Sequence, residues 1–103
     1  MYLLNAFSLN MIFAFPADIH VEEISLKEAQ SLAADMTSAV GHADTANVFS
    51  SVLGIDVLAN RVTVVLNKDD KALVGQYFGP RLPEGATQLP EGATIKWLFV
   101  TIG

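Results

Sequence analysis

The stretch Ile19-His20-Val21-Glu22-Glu23-Ile24-Ser25-Leu26-Lys27-Glu28 carries two structural signals back to back. Ile19 to Ile24 alternates as a half-buried strand does. Ser25 then breaks the run, and Glu28 stands three residues further on. That spacing is the capping box, in which a serine oxygen accepts a backbone N–H and the glutamate reaches back. A short helix is expected from about Leu26 to Ala34.

Outward from this junction, Tyr2 to Phe7 reads as a buried first strand, followed by a polar turn at Ser8-Leu9-Asn10. A second helix is expected over about Ala43 to Leu53. Val48, Phe49, Val52 and Leu53 give it one apolar face, and Gly54 supplies a left-handed stop. Arg61 to Asn67 and Ala72 to Phe78 read as paired strands joined by Lys68-Asp69-Asp70-Lys71, and Ile95 to Ile102 as a last strand. The order β-β-α-α-β-β-β predicts one small α/β domain over residues 1–103, a mixed sheet with about two helices packed on it. Between the last two strands six residues occur twice, Leu82-Pro83-Glu84-Gly85-Ala86-Thr87 and Leu89-Pro90-Glu91-Gly92-Ala93-Thr94. Their prolines and glycines make this a loop, long enough to act as a lid.

Composition narrows the function. The chain has 103 residues, 51% hydrophobic and 17% charged, which excludes intrinsic disorder and suits one compact domain. So apolar a surface suits cover by a partner chain, and a homodimer is expected. There is no cysteine, hence no disulfide, thiolate metal site or cysteine nucleophile. A net charge of -5 argues against long DNA or RNA as a partner. The apolar start, Met1 to Pro16, lacks a positive n-region and is broken by Asn5, Ser8 and Asn10. No run approaches the roughly 20 apolar residues of a membrane span. The expectation is a cytoplasmic chain without a membrane partner.

The residues that can carry chemistry are few. His42 follows Gly41 at the expected start of the second helix, where free N–H groups favour a bound anion. An imidazole there suits general-acid work near neutral pH, or it is simply a polar residue at a helix start. His20, inside an alternating strand, reads as structural. Arg61 and Arg81 are the chain's two arginines. They can grip phosphate oxygens with a planar fork, or face water as strand-end charges. Glu84 can pair with Arg81, touch a ribose or base edge, or sit solvated like its near-copy Glu91. Ser8 and Asn10 can contact a base or sugar, or only form the turn. No metal-ligand spacing, Walker loop, GxGxxG or nucleophile elbow is present, and no metal or cofactor is expected. One histidine, two arginines and one glutamate suit metal-free cleavage of an RNA-type phosphodiester, whose own 2′-hydroxyl is the nucleophile.

Four motifs occur in order: Asn5-Ala6-Phe7-Ser8-Leu9-Asn10-Met11, Ser38-Ala39-Val40-Gly41-His42, Asn60-Arg61-Val62 and Arg81-Leu82-Pro83-Glu84-Gly85. Together they resemble the viral-type ring nucleases, the type III anti-CRISPR family of archaeal viruses, bacteriophages and some CRISPR loci. The resemblance implies a small α/β homodimer that binds cyclic tetra-adenylate. It also implies metal-free cleavage to linear di-adenylate with a 2′,3′-cyclic phosphate, which shuts off type III CRISPR signalling. By that resemblance His42 is the catalytic general acid, Arg81 and Glu84 are the active-site pair, and Ser8, Asn10, Gly41 and Arg61 contact the ligand. A two-fold dimer would set one His42 beside each of two opposite phosphates. The chain departs from the family pattern after Glu84, where some relatives carry a longer helical segment. Two other readings stand beside this one: a module that sequesters the same messenger without turnover, and a viral interaction protein.

Overall fold

A strand has two hydrogen-bonding edges, and the central strand of this protein, β4 (Lys71–Phe78), fills both. The structure, a computed structural model, describes residues 1–103. On one side of β4 lies β1 (Tyr2–Leu4), parallel to it; on the other lies β5 (Thr94–Ile102), antiparallel. The outer strands are β2 (Ile19–Ile24), antiparallel to β5, and β3 (Thr37–Ser38), parallel to β1. The result is a five-stranded mixed sheet in the order β2-β5-β4-β1-β3. Ala72, Leu73, Val74 and Gly75 are buried in succession, as in a strand covered on both faces.

Two helices join these strands. Helix α1 (Leu26–Ala33) starts with the expected capping box: Glu28 N donates to Ser25 Oγ at 3.1 Å, and Ser25 N donates to Glu28 Oε1 at 3.4 Å. Helix α2 (Ala43–Leu53) ends at Gly54, whose φ of 73° is the left-handed stop. Both pack with one side of the sheet, where Leu3, Val40, Phe49, Leu53, Leu73 and Trp97 close a core over Ala29, Ala33 and Ala46. Phe49 meets Trp97 edge-on, centroids 5.1 Å apart. Gly75 makes this close approach possible: a Cβ there would lie 2.5 Å from the Phe49 ring and 2.6 Å from Trp97. The opposite face is covered by irregular chain, with Ile12, Val64 and Leu66 packed on Leu4, Val74, Val100 and Ile102.

The expected pairing of Arg61–Asn67 with Ala72–Phe78 is corrected by this arrangement. β5 pairs with β4 along its whole length and β1 takes Ala72–Val74 of the other edge, while residues 61–67 cross the far face and form a single parallel bridge, Leu66 to Ile12. Leu66 N donates to Met11 O at 2.6 Å, and Phe13 N to Leu66 O at 2.9 Å. The alternation that suggested a strand is real, since Val64 and Leu66 are buried while Thr63 and Val65 are exposed, but the partner is different. The turn before β4 forms as expected, with Asp70 N donating to Asn67 O at 3.0 Å. The first strand stops at Leu4 rather than Phe7, because Asn5 turns away to the Gly41 amide, 3.4 Å from its Oδ1. β3 is an addition that two residues could not announce. No helix is long and apolar enough to cross a membrane.

Candidate functional site

The N-terminal end of α2 and the chain at the end of β4 border one cleft of about 960 Å³. His42, Asp44, Thr45, Tyr77, Gly79, Arg81, Leu82 and Glu84 line it. His42 is the N-cap residue of α2. Its backbone is extended (φ -126°, ψ 132°), its carbonyl accepts from Ala46 N at 3.0 Å, and its imidazole makes no capping bond. The first N–H groups of a helix have no partner within it. The cleft therefore meets unpaired backbone donors beside an uncommitted imidazole.

The far wall is built by the chain leaving β4. Tyr77 Oη donates to Pro80 O at 2.6 Å and pins the turn. Gly79 lies against Ala93, where a Cβ would come within 2.7 Å of the alanine Cβ. Arg81 and Glu84 follow, both exposed, both on the cleft. They do not form the ion pair that their spacing allowed; the only histidine, lysine or arginine nitrogen within 4 Å of a carboxylate is His20 Nε2, 3.6 Å from Glu22 Oε2 on the exposed edge strand. Glu84 and Arg81 are thus each free to meet a ligand. His20 stands outside the cleft, as its strand position implied.

Arg61 and Gly41 do not line the cleft; they lie next to each other, and Gly41 comes one residue before His42. A Cβ on Gly41 would lie 3.7 Å from Arg61 Nε, so the guanidinium passes next to the Gly41–His42 backbone. Asn60 holds this neighbour in place: its Nδ2 donates to Ser38 O at 2.7 Å and its N to Val40 O at 2.8 Å. The motifs Ser38–His42 and Asn60-Arg61 are therefore one structural unit. Ser8 and Asn10 are elsewhere. Ser8 Oγ accepts from Asn10 N at 3.2 Å and caps a short 3-10 turn, Leu9–Met11; neither residue lines the cleft within one chain.

Three residues matter here to which sequence reading assigned no role in the site. Asn5 caps the Gly41 amide, Tyr77 locks the turn, and Asp44 Oδ1 accepts from Gly85 N at 3.1 Å. An acidic residue in the first turn of a helix was visible in the sequence, but its partner 41 residues away was not. Tyr77 also borders a second hollow of about 500 Å³, on the sheet face opposite the helices, lined by Val74, Leu98 and Val100 together with Asn5 and Gln76. No three His, Asp or Glu side chains come together to hold a metal ion.

Comparison with known proteins places this geometry in a group. The chain resembles "Uncharacterized protein 26" of Sulfolobus islandicus filamentous virus (isolate Iceland/Hveragerdi), 31% identical over 109 aligned positions, 99% of this chain and 92% of that one. It is 34% identical to "Uncharacterized protein ORF117" of Acidianus two-tailed virus over 73 positions, 67% of this chain and 62% of that one. The solved structure of B116 from Sulfolobus turreted icosahedral virus superposes with a TM-score of 0.77 at 29% identity, over 96% of both chains. The family model described as STIV B116-like matches residues 1–96, a span that holds the whole cleft and every strand except β5, of which it takes in only the start. With its five-stranded mixed sheet, its two helices and relatives encoded by viruses, the chain belongs to the STIV B116-like family.

Proposed function

We propose that this protein is a metal-independent ring nuclease that binds cyclic tetra-adenylate as a homodimer and cuts it to linear di-adenylate with a 2′,3′-cyclic phosphate. The observation that carries this reading is convergence. His42 comes from one motif and Arg81 and Glu84 from another some forty residues away in sequence, and all three line one cleft at a helix N-terminus. A phosphodiester with a neighbouring 2′-hydroxyl needs alignment, charge stabilisation and a proton for its leaving group, and nothing more elaborate.

Each residue then has a task. The first-turn N–H groups of α2 and the Arg81 guanidinium hold the phosphate oxygens. Glu84, unpaired with Arg81, accepts a hydrogen bond from the attacking ribose hydroxyl. The 2′-oxygen forms its bond to phosphorus as the bond to the 5′-oxygen breaks. His42 gives its proton to that departing oxygen, and the 2′-hydroxyl proton is taken up by Glu84 or water. Arg61, beside Gly41 and outside the cleft lining, adds positive charge. The apolar hollow next to Tyr77, with amides in its lining, suits a flat purine ring. Two such sites in a two-fold dimer face opposite phosphates of a four-fold ring, so two cuts give two di-adenylates. In host cells this activity removes the second messenger of type III CRISPR defence.

One observation favours a second reading, sequestration with little turnover. Arg81 and Glu84 are exposed, and residues 82–93 form two tight turns rather than a long cover. Incubation of the purified protein with cyclic tetra-adenylate in excess EDTA, with products resolved and mass measured by light scattering, separates the readings. Linear di-adenylate with a cyclic phosphate is the expected product. Ring recovered intact but bound supports sequestration, and no binding refutes both.

A further inference from the structure

Residues 81–92 join the rest of the protein through one hydrogen bond. Ala86 N to Pro83 O and Ala93 N to Pro90 O close the two turns internally, each at 3.1 Å. Gly85 N to Asp44 Oδ1, also 3.1 Å, is the bond that leaves the segment. Its donor is the peptide between Glu84 and Gly85, so the bond fixes the backbone of Glu84 directly. Its acceptor sits at the second position of α2, two residues after His42. There a carboxylate is favoured by the helix dipole and held by a rigid element. Gly92, the equivalent glycine of the second copy, has the same turn conformation and no such acceptor.

We propose that Asp44 is a positioning residue: it clamps the Leu82–Thr87 turn onto the first turn of α2 and so sets Glu84 and Arg81 opposite His42. Its catalytic consequence rests on the ring-nuclease reading, whereas the clamp does not. Without the clamp, the turn that carries Glu84 keeps only side-chain packing, at the half-buried Leu82 and Ala86, and no hydrogen bond to the rest of the protein. Misplacement of Glu84 by even an ångström costs rate rather than binding.

The duplicated sequence supplies an internal control. Gly85 and Gly92 have the same neighbours, Glu before and Ala after, and so the same intrinsic amide exchange. Amide hydrogen exchange read residue by residue in the full chain, without ligand, should show Gly85 about tenfold slower than Gly92. Asp44→Ala should bring the two rates together. Asp44→Asn, which keeps an Oδ1 acceptor, should preserve most of the difference. With cyclic tetra-adenylate, Asp44→Ala should lower kcat about tenfold with KM changed less than threefold, and Asp44→Asn should restore most of the rate. Equal exchange of Gly85 and Gly92 in the unaltered protein overturns the clamp. A clamp that is lost in Asp44→Ala while kcat stays at the unaltered level overturns the positioning role, as does an Asp44→Asn variant as slow as Asp44→Ala. An unaltered protein that protects Gly85 and cuts nothing refutes the ring-nuclease reading and the catalytic role of Asp44 with it, and leaves the clamp standing.

Discussion

Leu82–Thr87 and Leu89–Thr94 have identical sequences, and the protein folds them into the same turn in two different places. In each, the alanine N–H returns to the proline carbonyl at 3.1 Å, and the glycine takes a left-handed φ, 79° at Gly85 and 80° at Gly92. Glycine at that corner of a turn is what local chemistry demands. Beyond the turn the copies diverge. The first is docked on α2 by Asp44 and presents Glu84 to the cleft. The second leads into β5: Ala93 is buried against Gly79, and Thr94 pairs with Phe78. The difference teaches that six residues determine a conformation, while the neighbours that conformation meets determine whether it is a site. Glu91 is a solvated charge on a structural turn; Glu84 is the same side chain facing a histidine and an arginine.

The comparison can be broken most sharply by the two glutamates. Glu84→Gln should slow cleavage of cyclic tetra-adenylate by about 10²-fold, whereas Glu91→Gln should leave it within twofold. Single-turnover rates for the pair decide this, and equal losses would show that the copies are not functionally distinct. A finer separation comes from the glycines. An added Cβ meets nothing within 4 Å at either Gly85 or Gly92, so only backbone strain is introduced. Gly85→Ala and Gly92→Ala should each cost about 1–2 kcal/mol in denaturant unfolding, nearly equally. Only Gly85→Ala should also reduce kcat, because only that turn carries a cleft residue. Unequal stability losses would mean that the two turns are held differently at the glycine itself.

What the sequence made legible follows the same division between local and distant causes. Helix α1 was readable because Ser25 and Glu28 cap it within four residues, and α2 because Gly54 ends it. Strand β2 forms where it was expected, but not half-buried by alternation: only Ile19 and Ile24 are part-buried, and Val21 is exposed on this edge strand. The partner of residues 61–67 was not, since alternation states which side chains are buried and says nothing of which edge is vacant. β3 owes its existence to the free edge of β1, not to Thr37 and Ser38 themselves. In the site, His42, Arg81 and Glu84 were named from types and motifs, and the fold brings them to one cleft. The Arg81–Glu84 ion pair was a spacing argument, and the turn at Pro83–Ala86 keeps the two apart. Ser8 and Asn10 were named for the ligand, and within one chain they cap their own turn. Asp44 and Tyr77 were missed because their contacts run to Gly85 and Pro80, which no local pattern ties to a site.

The central claim is that the cleft at the start of α2 cuts the ring by proton donation from His42. Single-turnover cleavage of cyclic tetra-adenylate in EDTA by the unaltered protein and by His42→Ala, with ligand affinity measured on the same preparations, tests it most directly. The account predicts a rate lower by roughly 10²–10⁴-fold in His42→Ala with affinity largely retained, since acid catalysis acts in the transition state. A His42→Ala rate within threefold of the unaltered protein would contradict it.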